Sequence, residues 1–246
     1  MFRDRIAGGW RGRAIGFGEA EVRDDHAFWP GEATALARAT PARQAEFAAG
    51  RAAARAALRA VGLVPFAIPM GADRAPVWPG GVVGSITHHE GRCLAVAARR
   101  GAIAGLGIDL EPLDPLPADL LPEITTGAER AWLSTQPEDL QGVLARMIFS
   151  AKEASYKALY PQLHAVVGFD AMDIRPDLPA GRFTATLNRR FGDYSTGLRL
   201  GGQMQVHDGV ICTLMVLAAP ASHAQRGVPG AGHAELEMQC FHASAG

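Results

Sequence analysis

The stretch VVGSITHHEGRCLAVAARRGAIAGLGIDLEP, residues 82–112, decides the fold. Val82 to Thr87 is rich in strand formers, and Glu90-Gly91 marks a turn. Arg92 to Ala98 is small and apolar, Arg99-Arg100-Gly101 marks a second turn, and Ile103 to Leu110 reads as a third strand. The short turns predict an antiparallel meander. Upstream, residues 65–80 are rich in Gly and Pro and read as a loop. Residues 40–61 read as a helix, with Thr40 as cap, Pro41 in the first turn and Gly62 to end it. Its Ala-rich interior favours helix. Arg51, Arg55 and Arg59, four apart, form one stripe, which by itself predicts a solvated face.

Downstream, four prolines at 112, 115, 117 and 122 predict a junction between two halves. Thr126 and Glu129 are a capping-box pair for a helix through about Ser134. A longer helix is expected from about Asp139 to Leu159, stopping before Pro161. Leu140, Val143, Leu144, Met147 and Ile148 give it an apolar face. Residues 169–175, 181–188, 196–206 and 209–218 then alternate like strands. No sequence repeat is evident, but the order of elements is duplicated, helix then strands. The expected fold class is α+β, with two similar subdomains of helix on antiparallel sheet: an N-terminal half over 1–111, a C-terminal half over 112–220, and a poorly ordered tail over 221–246.

The 246 residues carry a formal net charge of −1, so no global basic field attracts nucleic acid, and an anionic ligand needs a local cluster. Cys93, Cys212 and Cys240 are odd in number and dispersed, which fits neither a disulfide framework nor a CxxC metal site. The N-terminus lacks the apolar run of a signal peptide, and the most apolar run, Val210 to Ala219, is too short to span a bilayer. These features predict a cytoplasmic protein.

Two lysines occur against 22 arginines, and both lie in Phe149-Ser150-Ala151-Lys152-Glu153-Ala154-Ser155-Tyr156-Lys157. Lysine is a compact point charge suited to one phosphate oxygen, whereas arginine is a fork suited to bidentate clamping. Glu153 and Lys157 share a helix face; alone they read as an ordinary i,i+4 ion pair. The third strand ends Gly105-Leu106-Gly107-Ile108-Asp109-Leu110-Glu111-Pro112. Asp109 and Glu111 project from one face, while Ile108 and Leu110 point to the core. Two adjacent carboxylates need a cation, a basic partner or a shared proton, and hard oxygen ligands suit Mg²⁺. Thr87 and His88 end the first strand at a turn, where both can donate to an anion.

Together, Gly84-Ser85-Ile86-Thr87-His88, Gly107-Ile108-Asp109-Leu110-Glu111 and the lysine segment resemble, in order and spacing, the Sfp-type 4′-phosphopantetheinyl transferases. Within that type the chain resembles the enterobactin synthase component D branch, also through Arg74-Ala75-Pro76-Val77-Trp78-Pro79 and the helix with Glu46-Phe47, Arg51 and Arg55. Phe149 stands where many members carry Trp, and Thr87-His88-His89 where many carry Ser-His-Ser. The resemblance covers roughly residues 40–175. It implies two halves related by a pseudo-twofold axis with coenzyme A between them, in a monomeric chain.

It further implies transfer of the phosphopantetheine arm of coenzyme A to a serine of an apo acyl, peptidyl or aryl carrier protein, siderophore carriers included. Asp109, Glu111 and Glu153 would hold Mg²⁺ (or Mn²⁺), and Glu153 would be the general base. Lys157 would contact the diphosphate. Arg43, Arg51, Arg74, Thr87 and His88 would hold the nucleotide, His88 at the 3′-phosphate. Lys152 matches the lysine of the Lys-Glu pair. Two alternatives stay open at this point: a Mg²⁺-dependent hydrolase of coenzyme A or a nucleotide, and a carrier-protein-binding module without catalysis.

Overall fold

Every strand pairing is antiparallel, and the strands divide into two sheets. The computed structural model describes residues 14–219 except 24, 37, 164 and 166, so the expected tail lies outside the described residues. The first sheet has the order β1-β3-β2, from β1 (Gly16–Glu21), β2 (Val82–His89) and β3 (Arg92–Arg99). The second has the order β4-β8-β7-β6-β5, from β4 (Ile103–Pro112), β5 (Met172–Asp177), β6 (Arg182–Leu187), β7 (Arg199–His207) and β8 (Val210–Ala218). The helices are α1 (Pro41–Ala60), a single turn α2 (Leu121–Ile124), α3 (Gly127–Leu133) and α4 (Glu138–Leu163).

The expected helices form. Thr40 Oγ1 caps α1 by accepting the Arg43 N–H, and the Thr126–Glu129 capping box of α3 is closed from both sides. Three expectations need correction. The strand β1 was not read from the sequence, because its two glycines weaken the pattern. Pro161 lies inside α4, which runs on to Leu163; in the last turn one lost backbone bond is tolerated. The three-strand meander does not form. Both edges of β3 are taken, by β1 and β2, so β4 leaves the first sheet and pairs with β8. The change of sheet therefore falls between Arg99 and Ile103, ahead of the 111/112 boundary expected from the prolines.

One unit occurs twice. In the first half, Gly16 and Gly18 of β1 lie against α1, where a Cβ would meet the carbonyl oxygens of Ala57 and Ala53 at 2.1 and 1.9 Å. In the second, Gly105 and Gly107 of β4 lie against α4, where a Cβ would meet those of Ala158 and Ala154 at 2.1 and 1.8 Å. Only glycine permits so close an approach of strand and helix. The duplicated element order is thus a repeated G-x-G strand on an A-x-x-x-A helix. Counting from these paired contacts, Asp109 and Glu111 correspond to Ala20 and Val22, Glu153 and Lys157 to Ala52 and Ala56, and Lys152 to Arg51. The acids and Lys157 belong to the second copy alone, while the Lys152 position carries Arg51 in the first.

Between the sheets lies a shared core of Phe17, Val83, Leu94 and Val96 against Leu106, Ile108, Leu110, Cys212 and Leu214. As expected, Ile108 and Leu110 are buried there. β2 also meets β4 through side chains: the Ile108 N–H donates to Ser85 Oγ at 3.2 Å. The cleft opens along this seam.

Candidate active site

The cleft measures about 550 Å³ and takes walls from both halves. Arg43 and Arg51 come from α1, Arg74 from a tight hairpin, Thr87 and His88 from the end of β2, Asp109 and Glu111 from the end of β4, and Lys157 from α4. The structure thus brings eight of the nine predicted residues to one cavity. Glu153 stands just outside. It lines a smaller pocket of about 190 Å³ with Lys152, Tyr156, Val167, Phe169 and Met172, and its Oε2 is 4.0 Å from Lys157 Nζ.

Strand alternation aims Asp109 away from the shared core, toward α4. There Lys157 Nζ pairs with Asp109 Oδ1 at 2.7 Å and also donates to the Ile108 carbonyl at 3.3 Å. Thr87 Oγ1 donates to the same Asp109 oxygen at 3.4 Å. The other oxygen, Oδ2, is buried and has no hydrogen-bond partner. Glu111 pairs with Arg146 at 3.0 Å. Burial first, and the nearby Asp109 charge second, push the Glu111 carboxyl up to about 7 against the pull of Arg146. Burial also raises Glu153, opposed by Lys157.

Among the described residues no three His, Cys, Asp or Glu side chains converge as a metal cluster. The ammonium of Lys157 lies between Asp109 and Glu153, and Arg146 holds Glu111. The donor set nevertheless fits a hard cation. It supplies carboxylate oxygens, one of them a buried oxygen with no partner, and a pair of acids whose mutual repulsion a cation relieves.

Several basic residues serve the scaffold instead. Lys152 is 2% exposed; it pairs with Glu129 at 2.7 Å and donates to the carbonyls of Ile124 and Phe169. Glu129 in turn accepts from the N–H groups of Thr126 and Ile174. Arg55, expected on a solvated stripe, is buried. It pairs with the fully buried Glu32 at 2.8 Å, stacks on Trp29 and does not line the cleft. Arg51 is also buried; its Nε donates to the Ile68 carbonyl and its guanidinium lies 3.6 Å from the Phe47 ring centre. Burial lowers its pKa to about 10, which still leaves it charged near neutrality.

Sequence reasoning missed Arg146, which donates to Glu111 and to the carbonyls of Asp114 and Pro115 and so ties the proline junction to α4. It also missed Tyr156, Tyr160 and Asp73 on the cleft wall. Tyr156 follows Glu153, and Tyr160 follows Lys157, by three residues, and that helical spacing was the available signal for the tyrosines.

Residues 31–98 match the family model described as 4′-phosphopantetheinyl transferase N-terminal domain, and residues 105–212 match that of the 4′-phosphopantetheinyl transferase superfamily. The chain is 41% identical over 208 residues to 4′-phosphopantetheinyl transferase Svp of Streptomyces mobaraensis, covering 83% of this chain and 84% of the relative. It is 37% identical over 198 residues to 4′-phosphopantetheinyl transferase PptT of Mycobacterium tuberculosis, covering 76% and 85%. The expected relationship to enterobactin synthase component D is present too, at 36% over 171 residues of the Salmonella typhi protein, covering 68% and 69%. Sequence matches on both halves, a duplicated strand-on-helix unit and one shared cleft agree, and the chain belongs to the 4′-phosphopantetheinyl transferase superfamily.

Proposed function

We propose that this protein transfers the 4′-phosphopantetheine arm of coenzyme A to a serine hydroxyl of an apo carrier protein and releases adenosine 3′,5′-bisphosphate. The observation that carries the reading is the placement of Lys157. It lines the cleft with Arg43, Arg51, Arg74 and His88, and its ammonium is 4.0 Å from Glu153, which lines the adjoining pocket. A diphosphate bound there has a basic nucleotide cleft on one side and a mainly apolar pocket on the other. The pocket, with Val167, Phe169 and Met172, suits the uncharged pantetheine arm.

Phosphoryl transfer needs positioning and charge neutralisation more than covalent help from the protein. Asp109, Glu111 and Glu153 are the residues that would hold Mg²⁺, which when bound neutralises diphosphate charge. Lys157 stabilises charge on the transferred phosphate. Glu153 accepts the serine proton as the oxygen attacks phosphorus, and burial, by raising its affinity for a proton, suits it to that task. Arg43, Arg51 and Arg74 bind the nucleotide end, with His88 at the 3′-phosphate. Because both halves of one chain build the cleft, the active unit is a monomer, which light scattering of the eluting protein tests.

Intact mass spectrometry of an apo carrier protein, incubated with coenzyme A, Mg²⁺ and this protein, is the direct test. The expected result is a gain equal to the phosphopantetheine arm that vanishes with EDTA. Coenzyme A cleaved with no gain on acyl, peptidyl or aryl carriers would instead assign a hydrolase. Neither gain nor cleavage would leave a binding module.

A further inference from the structure

A compact hairpin from the first half reaches the mouth of the cleft and is fastened there to the helix of the second half. Met70 bridges Pro76, the Gly71 N–H donates to the Ala75 carbonyl at 2.8 Å, and the Arg74 N–H donates to the Gly71 carbonyl at 3.0 Å. Arg74, at the tip, has φ +66°, a left-handed conformation uncommon for a residue with a side chain. Asp73 Oδ1 accepts the Ala75 N–H at 3.0 Å, so its carboxylate is oriented by its own loop. Its other oxygen, Oδ2, accepts the Tyr160 hydroxyl at 2.6 Å. A Cβ on Gly71 would lie 2.6 Å from Asp73 Oδ1, so a side chain there would displace this carboxylate.

Tyr160 follows Lys157 by three residues on α4, and its ring stacks edge-on with that of Tyr156 at 5.7 Å. Behind the hairpin lies a second cavity of about 330 Å³, lined by Trp78, Pro79, Val82 and Leu106, which shares Asp73 and Tyr160 with the cleft. The hairpin therefore has open space on both sides of its tip, and the Tyr160–Asp73 bond separates the two cavities.

We propose that Tyr160 and Asp73 form a latch between the halves that holds the hairpin, and with it Arg74, against bound coenzyme A. Tyr160 is a positioning residue: it acts on the nucleotide through Arg74. This rests on the transferase reading above. The latch also links nucleotide binding to the helix that carries Lys157 and Glu153.

The test compares Tyr160→Phe with wild type by titration calorimetry with coenzyme A and by steady-state transfer to an apo carrier. Phenylalanine keeps the ring contact with Tyr156 and removes only the hydroxyl. The expected result is a Kd and KM for coenzyme A raised about fivefold, the size of one ordinary hydrogen bond lost at an exposed position. Turnover and KM for the carrier should stay within about twofold of wild type. Asp73→Asn, which keeps the Ala75 bond, is expected to shift Kd in the same direction. In an Arg74→Ala background, adding Tyr160→Phe should change Kd by less than about twofold, since the two act as a unit. Independent, multiplying effects of Arg74→Ala and Tyr160→Phe would overturn the latch, as would an unchanged Kd in Tyr160→Phe. A fall in melting temperature with kcat and KM moving together would assign Tyr160 to stability alone. Wild-type transfer with no Tyr160→Phe shift removes the latch and leaves the transferase. Wild-type protein that binds no coenzyme A removes both.

Discussion

At the residue scale, the two lysines divide the work. Lys157 faces the cleft and is tied to Asp109 and the Ile108 carbonyl, whereas Lys152, five residues earlier, is buried against Glu129. Lys157→Ala should therefore lower kcat about a hundredfold, as for loss of one group that stabilises transition-state charge. KM for coenzyme A should move far less, and steady-state kinetics in both substrates reads the split. A change confined to KM would move Lys157 to ground-state binding. Lys152→Met should instead destabilise the fold by about 3 kcal/mol, because it strands Glu129 as a buried, unpaired charge. Urea unfolding measures it; an unchanged midpoint would refute the scaffold role. The contrast was only half legible in sequence. Confinement of both lysines to one helix singled the segment out, but helical spacing alone gives each lysine a direction without saying what lies there. The same limit hid the role of Arg55, whose partner Glu32 comes from a stretch with no readable pattern.

At the element scale, the G-x-G strand on the A-x-x-x-A helix positions the chemistry. In the second unit it brings β4 and α4 close enough for Asp109 and Lys157 to touch. Gly107→Ala would drive a Cβ into the Ala154 carbonyl, and Gly18→Ala into that of Ala53. Each should cost about 1–3 kcal/mol of stability, as overpacking does. Gly107→Ala should also lower kcat by about tenfold, since prising β4 from α4 displaces Asp109 from Lys157. Gly18→Ala, in the unit with alanine at the equivalent positions, should leave kcat within about twofold of wild type. Thermal melts paired with turnover check the pair, and equal losses of turnover would sink the distinction. The helices and most strands were readable because caps, turns and periodicity are local signals. The repeat was not evident in sequence because it rests on small residues at a few contact points. Those points stand out only when strand and helix are seen face to face.

At the scale of the whole molecule, the two sheets share one core, with Phe17, Val83, Leu94 and Val96 packed on Leu106, Ile108, Leu110 and Leu214. Neither half can expose that face to water without losing its burial, so the described fold should unfold in one cooperative step. Trp29 and Trp78 report on the first half and Trp132 on the second. Fluorescence and circular dichroism curves in urea should therefore coincide, and separate midpoints would show that the halves are independent. Among the described residues no helix is long and apolar enough to cross a membrane. By itself the sequence determined the helices and most of the strands and the duplicated order of the halves, which follow from local propensity and alternation. Most of the charged groups assigned to the cleft came from the resemblance of three short motifs to a known family. The tertiary structure alone decided that β4 joins β8, that Arg55 and Lys152 turn inward, that Glu153 lines a smaller pocket beside the cleft and that Tyr160 reaches Asp73. Each of these depends on which surface lies opposite a residue, and packing between segments distant in the chain sets that surface.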